Sequence, residues 1–429
     1  MTLPPLAPFP STPVMDQGDL VDLLRATLAA RRRGEEQLAV LVVRLRHLGL
    51  PAERRAEARE AADREMGRRL AAVVRAQDRW LRAGAGHFVL LLDGVAGAAH
   101  ATLAAHRIRA VCEVPVRFGS RDFSAVARVG IALAPEHSDD ADELLYFAAE
   151  AADQAQHASD GWTVFDQGGV RRFRLARDLG PALRAAIEQN ALAMHFQPQV
   201  SLADERLIGF EALLRWTCQG EPVSPPDVLA VAEQAGLSHR LTRWIINASL
   251  RQLASLRAAG LETRMSINLQ PSDFADRELA DFVELSLDTW RVPAACVTME
   301  ITEGSVLDEL APTLATLQRL KSRGLKVSLD DFGTGFSSLT HVRRLPLDEL
   351  KIDQSFVRTM LTVPGDEQIV RTVIDLAHNF GLAAVAEGVE DATVAARLRE
   401  LGCDAIQGYH IAPAMDEAAV LRWCGLRAY

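Results

Sequence analysis

Apolar positions along the chain follow two rhythms, and the change between them divides it. From Asp19 to about Phe165, near-continuous apolar runs at Leu38–Leu45, Phe88–Leu92 and Val126–Leu133 alternate with Ala-rich helical stretches such as Arg54–Ala76 and Asp142–Ala155. Strands interleaved with helices predict a small α/β or α+β domain over 19–167. Gln167-Gly168-Gly169 then punctuates the pattern, and Arg171, Arg172, Arg174 and Arg177 read as a solvated helix face, which places a linker at 168–178. The remainder, 179–429, opens with apolar strands at Met194–Val200 and Leu207–Leu214. The few residues between them allow only a hairpin, because a parallel crossover needs about a dozen. Six short strands follow, at Met265–Leu269, Val297–Ile301, Val327–Leu329, Leu350–Ile352, Ala383–Ala386 and Ala405–Gln407, with helical patterns between them. This repeat predicts a (β/α)8-type, TIM-like barrel with one antiparallel strand, preceded by the smaller α/β domain.

Composition narrows the classes. A net charge of -10 argues against a nucleic-acid binder, which needs clustered Lys and Arg to neutralise backbone phosphates. It leaves a small phosphate substrate open, since bound metals can supply positive charge locally. The five cysteines are scattered with no Cys-x-x-Cys, which fits a reducing compartment and excludes a zinc finger. No apolar run reaches the roughly 18 residues of a membrane span. Residues 1–18, with five prolines in the first 15 and no charged segment ahead of an apolar one, read as a disordered tail and not a signal peptide. The expectation is a cytoplasmic protein.

Seven successive barrel strands carry a polar residue at or near their ends: Glu211, Asn268, Glu300, Asp330 with Asp331, Lys351, Glu387 and Gln407. Strand ends on the C-terminal side converge on one mouth, where barrel enzymes place their chemistry. Each residue has a plain alternative. Glu-Ala-Leu occurs in many helices, Asp-Asp is commonly a solvated turn, Lys351 could lie on the surface, and Asn268 could cap a helix. Jointly, at successive strand ends, these alternatives lose, because buried Asp, Glu and Lys are rare unless paired or bound to metal. An oxygen-rich set without His or Cys points to Mg²⁺ or Mn²⁺. Two such ions roughly 3.5–4 Å apart suit phosphoester hydrolysis, with one carboxylate of the Asp330-Asp331 pair bridging them.

These residues carry a family resemblance. Phe196-Gln197-Pro198, Glu211-Ala212-Leu213-Leu214-Arg215, Asn268, Glu300-Ile301-Thr302-Glu303, Asp330-Asp331-Phe332-Gly333, Lys351-Ile352-Asp353, Glu387-Gly388-Val389-Glu390 and Gln407-Gly408-Tyr409 resemble the EAL-domain cyclic di-GMP phosphodiesterases, in order from about Leu179 to Cys424. The resemblance implies hydrolysis of cyclic di-GMP to linear pGpG with two Mg²⁺ or Mn²⁺ ions. It implies metal ligation by Glu211, Asn268, Glu300, Asp330 and Asp331, and water orientation and deprotonation by Lys351 and Glu387. Gln407 completes the mouth, and Gln197 and Arg215 hold guanine and phosphate. Glu303 would brace the loop Asp331 to Leu339, which in relatives couples the metal site to dimerisation, so a homodimer is implied. The segment after Tyr409, His-Ile-Ala-Pro-Ala, is looser than the family pattern.

The N-terminal domain resembles the GGDEF diguanylate cyclases in outline, through Val126–Glu136 and Leu144-Leu145. Its acidic chemistry is missing. Gly84-Ala85-Gly86-His87-Phe88 stands where the name motif belongs, and Arg44 and Arg46 replace the first strand's aspartates, where their charge would repel Mg²⁺. Arg75-Ala76-Gln77-Asp78 is placed like the family's inhibitory product-binding motif; the alternative is an ordinary i, i+3 helix ion pair. The domain is therefore expected to be regulatory or structural, receiving input directly or from a regulatory protein partner. Two other readings of the chain remain: a non-catalytic cyclic di-GMP receptor acting through protein contacts, and a scaffold binding no nucleotide.

Overall fold

The computed structural model describes residues 17–30, 37–48, 55–118, 121–156, 158, 160–302, 310–333 and 343–425. The chain forms two compact units, 1–171 and 172–429. The expected tail lies outside the described residues except for its last two, which already belong to the helix Gln17–Ala30. The segment expected to link the units is helical throughout, inside Gln167–Glu188.

The first unit holds a sheet of six strands: β1 (Gln37–Leu48), β2 (Arg79–Gly84), β3 (His87–Val95), β4 (Val116–Phe118), β5 (Arg121–Ala134) and β6 (Trp162–Val164). Their order is β2-β3-β1-β5-β4, with β6 added to β5. β1 pairs antiparallel with both β3 and β5. Its apolar run is continuous because both faces are covered. Ala39, Leu41 and Val43 pack with Met66 and Leu70 of the helix Arg55–Val73 and with Ala105 and Ile108 of Ala98–Cys112. The helix Ala141–Gln154 covers the opposite face so closely that a Cβ on Gly130 of β5 would lie 2.0 Å from the Ala148 carbonyl. The weaker strands β2, β4 and β6 were not legible beforehand; each is short or partly exposed and lacks a strong apolar pattern.

The second unit is the barrel. Its strands are β7 (Ala193–Ser201), β8 (Leu207–Cys218), β10 (Arg264–Leu269), β11 (Val297–Thr302), β12 (Lys326–Phe332), β13 (Glu349–Ile352), β14 (Ala383–Ala386) and β15 (Ala405–Gln407); the three-residue β9 (Glu221–Val223) folds back antiparallel on the end of β8. β8 and β10 to β15 pair in parallel, and β7 closes the ring by running antiparallel to both β15 and β8. The barrel strands are apolar where the helices cover them, with Ile267, Met299, Val327 and Leu350 fully buried in one core. That core fixes strand register, and register decides which polar side chains meet at the mouth.

Candidate active site

The parallel strands bring their polar residues together around one ammonium group. Lys351 of β13 is completely buried. Its Nζ lies 2.5 Å from Glu387, 2.8 Å from Glu300, 3.3 Å from Asp330 and 3.6 Å from Glu211. Four carboxylates around one cation leave the cluster negative if all ionise, and the ionisation of each group reflects this. Burial, with the charges of Glu211 and Asp330, holds Glu300 protonated well above the usual carboxylate range despite Lys351. Burial likewise pushes Glu387 up to about 8. Glu211 is the exception: the Lys351 charge and hydrogen bonds from Gln407 and Asn268 outweigh its burial and lower its pKa. Burial opposes the charge on Lys351, but the surrounding carboxylates win and raise its pKa well above the ordinary value.

Amide side chains fix the carboxylates. Asn268 Nδ2 donates to Glu211 Oε1 at 2.7 Å, and Gln407 Nε2 donates to Glu211 Oε2 at 2.6 Å and to Gln197 Oε1 at 3.1 Å. Gln407 is itself oriented by Gln199, whose Nε2 donates to its Oε1 at 2.9 Å. Gln199 was not singled out from the sequence, yet strand alternation puts it on the same face as Gln197, two residues away. Gly408 follows because the backbone at Val389 leaves no room: a Cβ there would sit 2.2 Å from the Val389 carbonyl oxygen.

Asp330 and Asp331 pose a geometric problem, since consecutive strand residues ordinarily point to opposite faces. The β12–β13 pairing shifts register between Leu329 and Phe332, and Asp331 adopts φ 56°, a left-handed conformation that Asp tolerates better than most residues. Both carboxylates thereby reach the mouth. The Asp331 N–H donates to Asp330 Oδ1 at 2.9 Å, and burial together with the neighbouring Asp330 and Asp353 charges pushes Asp331 up to about 6.

The set fits hard cations. One oxygen each from Glu211, Glu300 and Asp330 lies within 4.8 Å of the others, and the same holds for Asp330, Asp331 and Glu387. Asp330 belongs to both groups. Glu300 Oε1 is buried with no hydrogen-bond partner, an arrangement that is costly unless a cation satisfies it. All these donors are oxygens, as Mg²⁺ and Mn²⁺ require.

Above the carboxylates lies a cavity of about 400 Å³ lined by Gln197, Arg215, Glu387 and Gln407, and also by Arg358 and Tyr409, which the sequence analysis did not assign. Arg215 Nη1 donates to the Leu214 carbonyl at 2.8 Å, and Arg358 pairs with Glu390 at 2.9 Å. Glu303 and most of the loop Asp331 to Leu339 lie outside the described residues. In the first unit, Arg44 pairs with Asp153, and its register partner across the sheet is His87. Arg75 and Asp78 lie beyond the end of the helix Arg55–Val73, so they are not a helix pair. The Arg75 N–H donates to Asp78 Oδ2 at 2.8 Å in a turn, and the Arg75 side chain contacts His100.

Comparison with known proteins places this geometry in a family. Residues 181–414 match the EAL domain, and residues 22–161 match the diguanylate cyclase GGDEF domain. The chain belongs to the EAL-domain family, with a GGDEF domain preceding the barrel. Among its curated relatives is the bifunctional diguanylate cyclase/cyclic di-GMP phosphodiesterase MucR of Pseudomonas aeruginosa, 32% identical over 83% of this chain and 52% of that protein. Another is the cyclic di-GMP phosphodiesterase PdeR of Escherichia coli, 32% identical over 80% of this chain and 52% of that one. The chain spans about half the length of the curated relatives it matches. A solved MucR phosphodiesterase in complex with c-di-GMP is 34% identical, with a TM-score of 0.54 over 57% of this chain and all of that one. The FimX EAL domain of Pseudomonas aeruginosa bound to c-di-GMP is 27% identical, with a TM-score of 0.52 over 56% and 97% of the two chains. No helix among the described residues is long and apolar enough to cross a membrane.

Proposed function

We propose that the barrel hydrolyses cyclic di-GMP to linear pGpG, using two divalent cations, Mg²⁺ or Mn²⁺. The observation that carries this is the pair of carboxylate groups sharing Asp330, set around the buried Lys351. Glu211, Asn268, Glu300, Asp330 and Asp331 would hold the ions, which supply Lewis acidity and charge neutralisation for phosphoester hydrolysis. Arg215 and Gln197 would hold phosphate and guanine in the cavity. Lys351 keeps the carboxylates together and orients the attacking water. Glu387, 2.5 Å from the Lys351 ammonium, takes its proton as the water oxygen bonds to phosphorus and the P–O ester bond breaks, the departing ribose oxygen taking up a proton from solvent. Relatives named as cyclic di-GMP phosphodiesterases support the substrate.

The test is direct. Purified protein given cyclic di-GMP and Mg²⁺ should yield pGpG, EDTA should abolish turnover, and Mn²⁺ or Mg²⁺ should restore it. Calcium should inhibit, because its longer, looser coordination spoils the spacing that two ions require. Robust turnover in EDTA would rule out the two-ion reading.

The first unit is proposed to make no cyclic di-GMP from GTP and to act as a regulatory or dimerisation element. Arg44 and Arg46 put positive charge where a cyclase holds its metal, and Gly86 and His87 offer no carboxylate. Incubation with GTP and Mg²⁺ should give no cyclic di-GMP by chromatography; its appearance would overturn the assignment of these positions.

A further inference from the structure

The barrel has a second cavity at its other end. It measures about 1070 Å³, far larger than the mouth, and is bounded by the β7–β8 turn and the residues that begin β10, β11 and β15. Four arginines line it: Arg206, Arg257, Arg264 and Arg399. Only two carboxylates do, Glu262 and Asp404. Asp404 is already engaged, with Oδ2 2.9 Å from His378 Nε2 and accepting from the Ala384 N–H at 2.8 Å. Arg206 and Arg399 are balanced at the rim by Asp204 and Glu205, at 3.4 and 2.8 Å.

The other two arginines are not balanced in this way. Arg257 is half-buried, and its guanidinium donates to Cys296 Sγ at 3.3 Å, with no carboxylate within ion-pair distance among the described residues. Arg264 is exposed and likewise has no ion-pair partner among the described residues; its charge acts at longer range on the half-buried Glu349. With Asp204, Glu205, Glu262 and Asp404 counted, the formal charges around this concave surface balance, but Arg257 and Arg264 have no carboxylate within ion-pair distance among the described residues and leave two guanidinium groups open to a ligand. Guanidinium forks bind phosphoryl oxygens in pairs, and the volume is that of a nucleotide-sized pocket. Leu202, Leu207 and Ile208 supply an apolar wall beside the arginines.

We propose that this floor cavity binds a phosphorylated small molecule, with Arg257 and Arg264 holding its phosphoryl groups. The site is separate from the mouth. β10 starts at Arg264 and carries Asn268 four residues on, and β11 starts just after Cys296 and carries Glu300, so about 13 Å of strand divides the two ends. No carboxylate cage is involved, and binding requires no divalent ion. The proposal is independent of the chemistry at the mouth.

Calorimetric titration of the full chain with inorganic pyrophosphate in EDTA tests it, because chelation removes any metal-dependent binding at the mouth. Saturable binding is expected, weakened at least tenfold by Arg264→Glu and by Arg257→Gln, and unchanged in Arg215→Ala at the mouth. Circular dichroism confirms that each variant is folded, and either floor variant suffices if the other fails to fold. Parallel titrations with ADP and GDP distinguish the sources: affinity more than tenfold above pyrophosphate assigns a nucleotide whose ring meets the apolar wall, and equal affinity assigns an inorganic polyanion. Absence of saturable binding, binding unaltered by the floor variants, or loss in Arg215→Ala overturns the proposal.

Discussion

Glu387→Gln and Glu211→Ala should each lower turnover of cyclic di-GMP by roughly a hundredfold or more, because general-base catalysis alone contributes roughly 10²–10⁴. They should part company in binding. Glu387→Gln keeps the side chain's shape and one oxygen in the group with Asp330 and Asp331, and leaves Glu211, Glu300 and Asp330 together, so cyclic di-GMP should still bind with metal present. Glu211→Ala removes an oxygen from one of the two carboxylate groups and leaves Asn268 and Gln407 without the acceptor they both donate to. Metal affinity should fall, and substrate affinity with it. Equilibrium binding and a product assay on both variants check this. A wild type that binds tightly without turnover, matched by both variants, would establish the receptor reading instead.

Lys351→Met should destabilise the metal-free barrel by about 3–5 kcal/mol, the usual cost of removing one partner of a buried ion pair. The side chain is fully buried, and methionine fills similar volume, so the loss is of charge and not of packing. Glu211, Glu300, Asp330 and Glu387 would then face one another without a cation. Two features distinguish this from a general folding defect. Mg²⁺ should recover much of the lost melting temperature, because the ions supply the missing positive charge. Lowering the pH from 8 to 6 should also narrow the gap to wild type, because protonation of the carboxylates removes the repulsion that Lys351 now offsets. Turnover should stay low even with Mg²⁺, since nothing then orients the water. Equal melting of the two proteins in EDTA at pH 8 would show that the ammonium does not balance this cluster.

Much of the barrel was legible in the sequence because its strands alternate with helices at a regular spacing, and their apolar runs fall almost where β10 to β15 lie. A loop too short for a crossover settled the antiparallel β7 without any tertiary information. The candidate site was legible for a related reason: a polar residue at the end of an apolar strand has nowhere to go but a shared mouth, and seven successive strands carry one. Chain pattern could not supply the distances. That Lys351 sits among four carboxylates, and that Asp330 is common to two oxygen groups, follows from ring closure and register. Asp331 shows the limit most clearly, since strand alternation alone would turn it away from Asp330, and only the register shift and its left-handed backbone bring both to one face. The floor cavity was invisible for the same reason. Arg257, at the end of the helix Ser238–Ala258, and Arg264, which begins β10, are near in sequence, but Cys296 and Asp404 are far from them, no motif joins the four, and they meet because closing the barrel gathers the strand beginnings as it gathers their ends.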